Sequence, residues 1–294
     1  MTSERDLLDA CRFPPAGTAV DLAVSGGPDS LGLALLARAH GLSVTLHHVD
    51  HHARLASGQD AAFVAGLARD WGVDVVVHDV HVAPGANFEA RARAARRAVL
   101  PVAALTGHTL DDLAETMLLN LVRGAGLDGL SPMVGDPTKP LLAVRRRDLA
   151  EYVVARGYVA RQDETNLDAR YRRNRMRHEV LPLLDDVAER DVAPLLARAA
   201  QLIYDERRWI AEATAHDETL SLFEADCREL AAWPTARLRR WLRERLARDD
   251  PDGTHPPESA EVERALGVVR GEAVATELAG GRRLARRHQH LSLE

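Results

Sequence analysis

The sequence predicts an α/β protein, a doubly wound parallel sheet followed by a smaller, mainly helical domain that ends in a β-hairpin. Three observations carry this expectation. Ahead of Pro182, short apolar runs alternate with stretches of helical spacing, as in a parallel sheet with helices on both faces. A glycine-rich turn, Ser25-Gly26-Gly27-Pro28-Asp29-Ser30, separates the first strand from the first helix, at the strand end where such sheets bind ligands. Beyond Pro182 the alternation stops, and residues 185–249 read as almost entirely helical.

In order, residues 18–24 read as a short buried strand and Asp29 to His40 as a helix with Leu and Ala at helical spacing. A second strand covers Ser43 to Val49. Ser57 to Trp71 is a helix with Ser57 as its N-cap, and Val73 to Val80 a third strand. Asn87 to Leu100 is an Arg- and Ala-rich helix, Val102 to Thr106 a fourth strand, and Thr109 to Arg123 a further helix. In the helical part Trp209, Trp233 and Trp241 are expected as packing anchors. Asp249 to Pro257 is a loop, and Thr276 to Leu293 alternates around Gly280-Gly281 as a hairpin should. These readings place a first domain at residues 1–185 and a second at 186–294.

Composition narrows the class. The chain has 294 residues, suiting two domains, and its 46% apolar and 28% charged content is that of a globular protein. No apolar run is long enough to span a bilayer, and Met1 to Asp9 lacks the apolar core of an export signal, so no membrane partner and a cytoplasmic setting are expected. Cys11 and Cys227 suggest neither a disulfide framework nor a metal spacing. The net charge of −6 argues against a general affinity for nucleic acid, but arginines cluster at 145–147, 170–177, 237–248 and 282–287. His47, His48, His51 and His52 alternate faces along a strand with no cysteine near, which does not favour zinc.

Two motifs carry chemistry. In the first, Gly26 and Gly27 let the backbone approach a phosphate, the following helix aims its free N–H groups at the anion, and Ser25 and Ser30 add hydroxyls. The plainer reading is a tight turn capped by Asp29 or Ser30. The string lacks the Gly-Lys-Ser/Thr of a Walker A loop. In the second, Gly107-His108-Thr109-Leu110-Asp111-Asp112-Leu113-Ala114-Glu115 follows the fourth strand and opens a helix. Asp111 and Asp112 stand four and three residues before Glu115, so these acids can share a face and hold Mg2+ or an incoming amine. They can equally complement the helix dipole, with Thr109 as cap.

The first string resembles the pyrophosphate loop of the N-type ATP pyrophosphatases. Joined to the second, and to the motifs that stand in order along residues 18–184, it makes the chain similar to the tRNA(Ile)-lysidine synthetase family. These motifs are His48-Val49-Asp50-His51 with Arg54; Asn87-Phe88-Glu89-Ala90-Arg91-Ala92-Arg93 with Arg96; Leu121-Val122-Arg123-Gly124-Ala125-Gly126; Lys139-Pro140-Leu141-Leu142; Asp163-Glu164-Thr165-Asn166; and Arg173-Asn174-Arg175-Met176-Arg177. The chain departs at Arg97, Leu110 and Leu113, and it is too short for the additional C-terminal domain of longer members.

The resemblance implies ATP and Mg2+ as cofactors, and L-lysine and a tRNA(Ile) with a CAU anticodon as partners; it leaves a homodimer open. Under it Ser25 to Ser30, His48, Asp50 and Gly107 bind ATP, and Asp29, Asp111 and Asp112 stand near the metal. Asp29, His108, Asp111, Asp112 and Glu115 serve catalysis. Arg54, Glu89, Arg93, Arg96, Arg123, Lys139, Arg173, Asn174, Arg175 and Arg177 meet lysine or tRNA, with further tRNA contacts in the helical domain.

Overall fold

The computed structural model describes residues 2–50, 57–81, 88–161, 172–215, 220–222, 225–248 and 257–294. Chain contacts divide the protein into two compact units, Met1–Asp205 and Glu206–Glu294.

In the first unit, α1 (Glu4–Ala10) precedes β1 (Ala19–Ala23), α2 (Pro28–Ala39), β2 (Ser43–Asp50), α3 (Ser57–Trp71), β3 (Asp74–Asp79) and α4 (Phe88–Val99). The strands form a parallel sheet in the order β1-β2-β3. Leu22 and Leu46 are fully buried and pack with Leu31, Leu33 and Leu36 of α2 and with Val64 and Leu67 of α3. The expected fourth strand is reduced to one parallel bridge, Leu22 to Leu105. The Ala104 N–H turns back to the Pro101 carbonyl, which draws the preceding residues out of the ladder and leaves Val102 wholly exposed. The bridge still lies beside β1, so the chain leaves it at the same sheet end as the Ser25–Ser30 turn.

Next come α5 (Leu110–Val122), α6 (Leu127–Leu130), α7 (Arg146–Ala155), α8 (Arg172–Arg175), a π-helical turn (Met176–Val180), α9 (Leu181–Ala188) and α10 (Ala193–Ala213). Pro182 lacks the N–H that a regular helix would give to residue 178, and its ring would crowd that carbonyl. The Leu181 N–H instead reaches the Met176 carbonyl, the five-residue step of a π turn. Two small cores tie α10 to the first unit: Ala200, Leu196 and Ile203 against Leu113 and Met117, and Val192 against Leu118 and Leu181. The contact division thus falls at Asp205, later than the residue 185 expected from sequence. Trp209 is 66% exposed and anchors nothing, because at about 100° per residue it faces away from the Leu196–Ala200–Ile203 stripe.

The second unit packs α11 (Cys227–Ala231), α12 (Thr235–Arg248) and α13 (Ser259–Arg270) with an antiparallel sheet, β4 (Ala275–Glu277), β5 (Arg283–Arg287) and β6 (His290–Leu293). Trp241 is buried among Leu238, Leu242, Val262 and Leu266, and Trp233 meets it edge-on. Beyond the expected turn at Gly280-Gly281 a second hairpin turns on His288-Gln289. Both residues have positive φ, the conformation of a two-residue type I′ turn, without the Asn-Gly that would signal it in sequence.

Candidate active site

The glycine-rich turn folds on itself through its two serines. The Ser25 N–H donates to the Ser30 hydroxyl at 3.1 Å, the hydroxyls lie 3.2 Å apart, and Ser30 Oγ donates to the Gly27 carbonyl at 3.0 Å. Gly26 has φ +88°, and a Cβ there would come within 3.2 Å of Phe63 and Arg161. Gly27 is the N-cap of α2, Pro28 follows it, and no side chain caps this end. Glycine is needed at the turn for both its left-handed backbone and its bare surface.

Three helix N-termini converge here. At Gly107 a Cβ would stand 2.7 Å from the Asp29 carbonyl oxygen and 3.0 Å from the Ser30 nitrogen, so the lead-in to α5 lies directly on the turn. The lead-in to α7 joins α5 through the Leu110 N–H to the Val144 carbonyl at 2.9 Å. Helices α2 and α7 pack closely at Gly32, where a Cβ would be 2.4 Å from Leu149 Cγ. Two of these ends are closed by carboxylates. Thr109 and Asp112 form a capping box on α5, and Asp111 Oδ2 accepts the Arg146 N–H at 2.7 Å on α7. The start of α2 alone lacks a side-chain cap, and the summed dipoles favour an anion there.

Arg146 connects the turn to the acids. Its Nε donates to Asp29 Oδ2 (3.2 Å), Nη2 to Asp112 Oδ1 (2.7 Å) and Nη1 to Glu115 Oε1 (2.9 Å). Arg173 donates to Asp112 (2.8 Å) and Glu115 (3.0 Å), and Arg177 to Glu115 (2.7 Å). Burial alone would raise the Asp112 and Glu115 carboxyls. The guanidiniums, Arg146 and Arg173 on Asp112 and Arg177 and Arg146 on Glu115, outweigh it and hold both below the usual range. Asp29 goes the other way. Burial outweighs the single Arg146 contact and raises it to about 6, and its Oδ1 is buried without a partner.

The structure therefore gathers Asp29, Asp112 and Glu115, with Arg173 and Arg177, but turns Asp111 elsewhere. Asp111 accepts from Arg145 Nη2 at 2.9 Å, and Arg145 also pairs with Asp191. Among the described residues no three His, Cys, Asp or Glu side chains are grouped to hold a metal, so the expected Asp29–Asp111–Asp112 set is not assembled. His108 is half-buried with Nδ1 2.8 Å from the Thr106 hydroxyl. His48 is buried with Nδ1 2.9 Å from the Val24 carbonyl, just before the turn, and Asp50 is buried at the end of β2. Asn174 is buried on α8. Other expected residues lie away from this cluster: Arg123 exposed beyond the far end of α5, Lys139 paired with Asp136, Arg175 with Glu179, and Arg96 exposed on α4. Arg54 and the Asp163–Asn166 segment lie outside the described residues, as do the side chains of Glu89 and Arg93. Arg146 was noticed in sequence only as one of a run of three arginines.

Comparison with known proteins fits this geometry. Residues 3–184 match the PP-loop domain family. A tRNA(Ile)-lysidine synthase of Thermobifida fusca (strain YX) is 40% identical over 213 residues, covering 67% of this chain and 66%, just under two thirds, of that protein. One of Mycobacterium leprae (strain TN) is 37% identical over 302 residues, covering 93% of this chain and 91% of that protein. Among solved structures, the U34-tRNA thiolase NcsA from Methanococcus maripaludis with its [4Fe-4S] cluster has the same fold at a TM-score of 0.54 and 15% identity, over 68% of this chain and 77% of that one.

Proposed function

The chain belongs to the tRNA(Ile)-lysidine synthase family of PP-loop proteins, and from that membership we propose that it joins L-lysine to the 2-position of the wobble cytidine in the CAU anticodon of tRNA(Ile), splitting ATP to AMP and pyrophosphate. The observation that carries this reading is the uncapped start of α2 beside a charge-balanced cluster of Asp29, Asp112, Glu115, Arg146, Arg173 and Arg177.

In this reading the Ser25–Ser30 turn takes the phosphates of ATP. The cytosine 2-oxo group attacks the α-phosphorus, and pyrophosphate leaves toward the amides and guanidiniums. The lysine amine then displaces AMP from the adenylated base, with its approach set by positioning. Asp112 and Glu115, through the arginines they hold, are assigned to placing that amine. Mg2+ would fit at Asp29, whose buried Oδ1 has no hydrogen-bond partner among the described residues. One or two carboxylates would suffice to hold it, and Asp29 would supply one. When bound it neutralises phosphate charge. The helical residues from about 186 onward are assigned to the tRNA body, and the reaction to the cytoplasm. No helix among the described residues is long and apolar enough to cross a membrane.

The thiolase fold raises sulfur transfer as the alternative. It is disfavoured because the sequence holds two cysteines, and burial pushes the Cys11 thiol to about 12 and raises that of Cys227, leaving neither a ready nucleophile. The test is radiolabelled lysine with ATP and CAU-bearing tRNA(Ile). Lysine entering the tRNA with stoichiometric pyrophosphate supports the reading. Pyrophosphate release without lysine in the tRNA overturns it.

A further inference from the structure

We propose that Arg146 is the residue that receives the pyrophosphate end of ATP, and that Asp111 is its positioning residue and not a metal ligand. The inference rests on the assignment of the Ser25–Ser30 turn to phosphate. Arg146 is the first residue of α7, and Asp111 holds it twice. The carboxylate accepts the Arg146 backbone N–H at 2.7 Å, and it fixes the preceding residue, Arg145, at 2.9 Å. The Arg146 side chain then spans from Asp29, in the first turn of α2, to Asp112 and Glu115 in α5. A guanidinium 3.2 Å from Asp29 stands one side chain away from any anion held at the uncapped end of α2.

The contacts with the three acids are unequal. Asp112 and Glu115 each accept from other arginines, whereas among the described residues the hydrogen-bonded arginine of Asp29 is Arg146, through its longest contact. That contact is therefore the one most easily exchanged for a phosphate oxygen, and the fork geometry of arginine suits the exchange. Two consequences follow. Asp29 is freed at Oδ2 as well as Oδ1, so the same event that brings phosphate prepares a carboxylate for the cation that accompanies it. Arg146 keeps its bonds to Asp112 and Glu115 in that exchange, so those two acids stay paired with guanidiniums and the released charge is that of Asp29, which the cation meets.

Inorganic pyrophosphate with and without Mg2+, titrated calorimetrically into the full-length protein, reads the first step without turnover. Loss of a charge-assisted fork weakens binding on the order of 10- to 100-fold. Arg146→Met is expected at the upper end of that range and Arg146→Lys, which keeps the charge, at the lower. Asp111→Asn should weaken pyrophosphate several-fold while leaving the magnesium requirement unchanged, which a lost metal ligand would not do. Arg146→Lys is also the safeguard should Arg146→Met leave the acids too poorly balanced to fold. Pyrophosphate affinity equal to wild type in folded Arg146→Lys and Arg146→Met overturns the inference, as does a changed magnesium requirement in Asp111→Asn for the role of Asp111. Wild-type protein that binds no pyrophosphate under either condition instead removes the phosphate assignment itself.

Discussion

Gly107→Ala is the sharpest probe of how the site is assembled. Gly107 is not among the residues with positive φ, so alanine meets no backbone penalty and the effect is purely steric. The added Cβ would stand 2.7 Å from the Asp29 oxygen, 2.8 Å from its carbonyl carbon and 3.0 Å from the Ser30 nitrogen. All three are backbone atoms of the glycine-rich turn, which cannot swing aside as a side chain does. Reaching ordinary contact requires a retreat of about 0.7 Å, a displacement near the 1 Å scale that costs catalysis up to ~100-fold. Over-packing of this kind costs about 1–3 kcal/mol, roughly 3–10 °C in melting temperature for a unit of this size. Gly129→Ala is the control. Its Cβ would meet the Ala125 side chain at 2.5 Å, in and beside α6, away from the turn. Both variants should melt lower, but only Gly107→Ala should raise the ATP KM and slow pyrophosphate release, by on the order of 10- to 100-fold. Wild-type ATP kinetics in Gly107→Ala, or equal damage from Gly129→Ala, would refute the argument that the turn is braced at Gly107.

Three further outcomes are expected. Asp29→Asn should abolish adenylation yet stabilise the metal-free protein. The wild-type carboxyl is raised from 3.8 to about 6, so ionising it costs the folded state about 3 kcal/mol at most, less for its 28% exposure. Its contribution falls as pH rises through 4–6 and is level above 6, so the advantage of the asparagine variant in denaturant melts with EDTA should grow over that window; an advantage absent at pH 7 would contradict the assigned burial cost. Pro182→Ala restores an N–H that can donate to the residue 178 carbonyl, removing the reason for the π turn. Rotation by about 100° should carry Arg173 and Arg177 off Glu115, lowering activity and, because the buried Glu115 loses two of its guanidiniums, the melting temperature as well; unchanged activity would mean that the turn does not set their register. A chain ending at residue 185 should fail to fold because Leu113, Met117 and Leu118 lose Val192, Leu196, Ala200 and Ile203, roughly 5 kcal/mol or more of apolar burial and comparable to a domain's whole stability. A chain ending at Ala213 should keep cooperative unfolding, and a cooperative melt from the 185-residue chain would show those contacts to be dispensable.

The elements were legible wherever local chemistry decides them. Thr109 followed by Asp112 signals a helix start, and the capping box forms there; α3 runs from Ser57 to Trp71 as its spacing predicts. The glycine-rich turn was legible because a strand–helix junction in a left-handed conformation calls for glycine, and Gly26 has φ +88°. The fourth strand was misread because a run of apolar residues says nothing about the turn that Pro101 begins. Trp209 was misread because an aromatic residue on a helix is buried only if a neighbour covers its face. The carboxylate roles were illegible for a related reason. At 100° per residue Asp111 lies about 40° from Glu115 and Asp112 about 60°, so spacing slightly favours Asp111 as the partner of Glu115. The choice is made by α7, whose first residues arrive from 34 and 35 positions away and take Asp111 for themselves, leaving Asp112 to share the Glu115 arginines.

The same long-range pairing changes what the arginine clusters mean. In sequence, 145–147 and 170–177 look like cationic surface for RNA. In the structure Arg146, Arg173 and Arg177 are committed to carboxylates of the site, and Arg145 to Asp111 and Asp191. Their positive charge is offset locally, which is how a chain of net charge −6 keeps guanidiniums beside the glycine-rich turn. A guanidinium bound to a carboxylate is held in place before substrate arrives, so its transfer to phosphate exchanges one ion pair for another without ordering a long side chain at that moment. Free surface arginines would attract RNA more strongly but would have to be ordered during the reaction. The paired arrangement gives up some of that attraction in return for preorganisation at the atoms where charge develops.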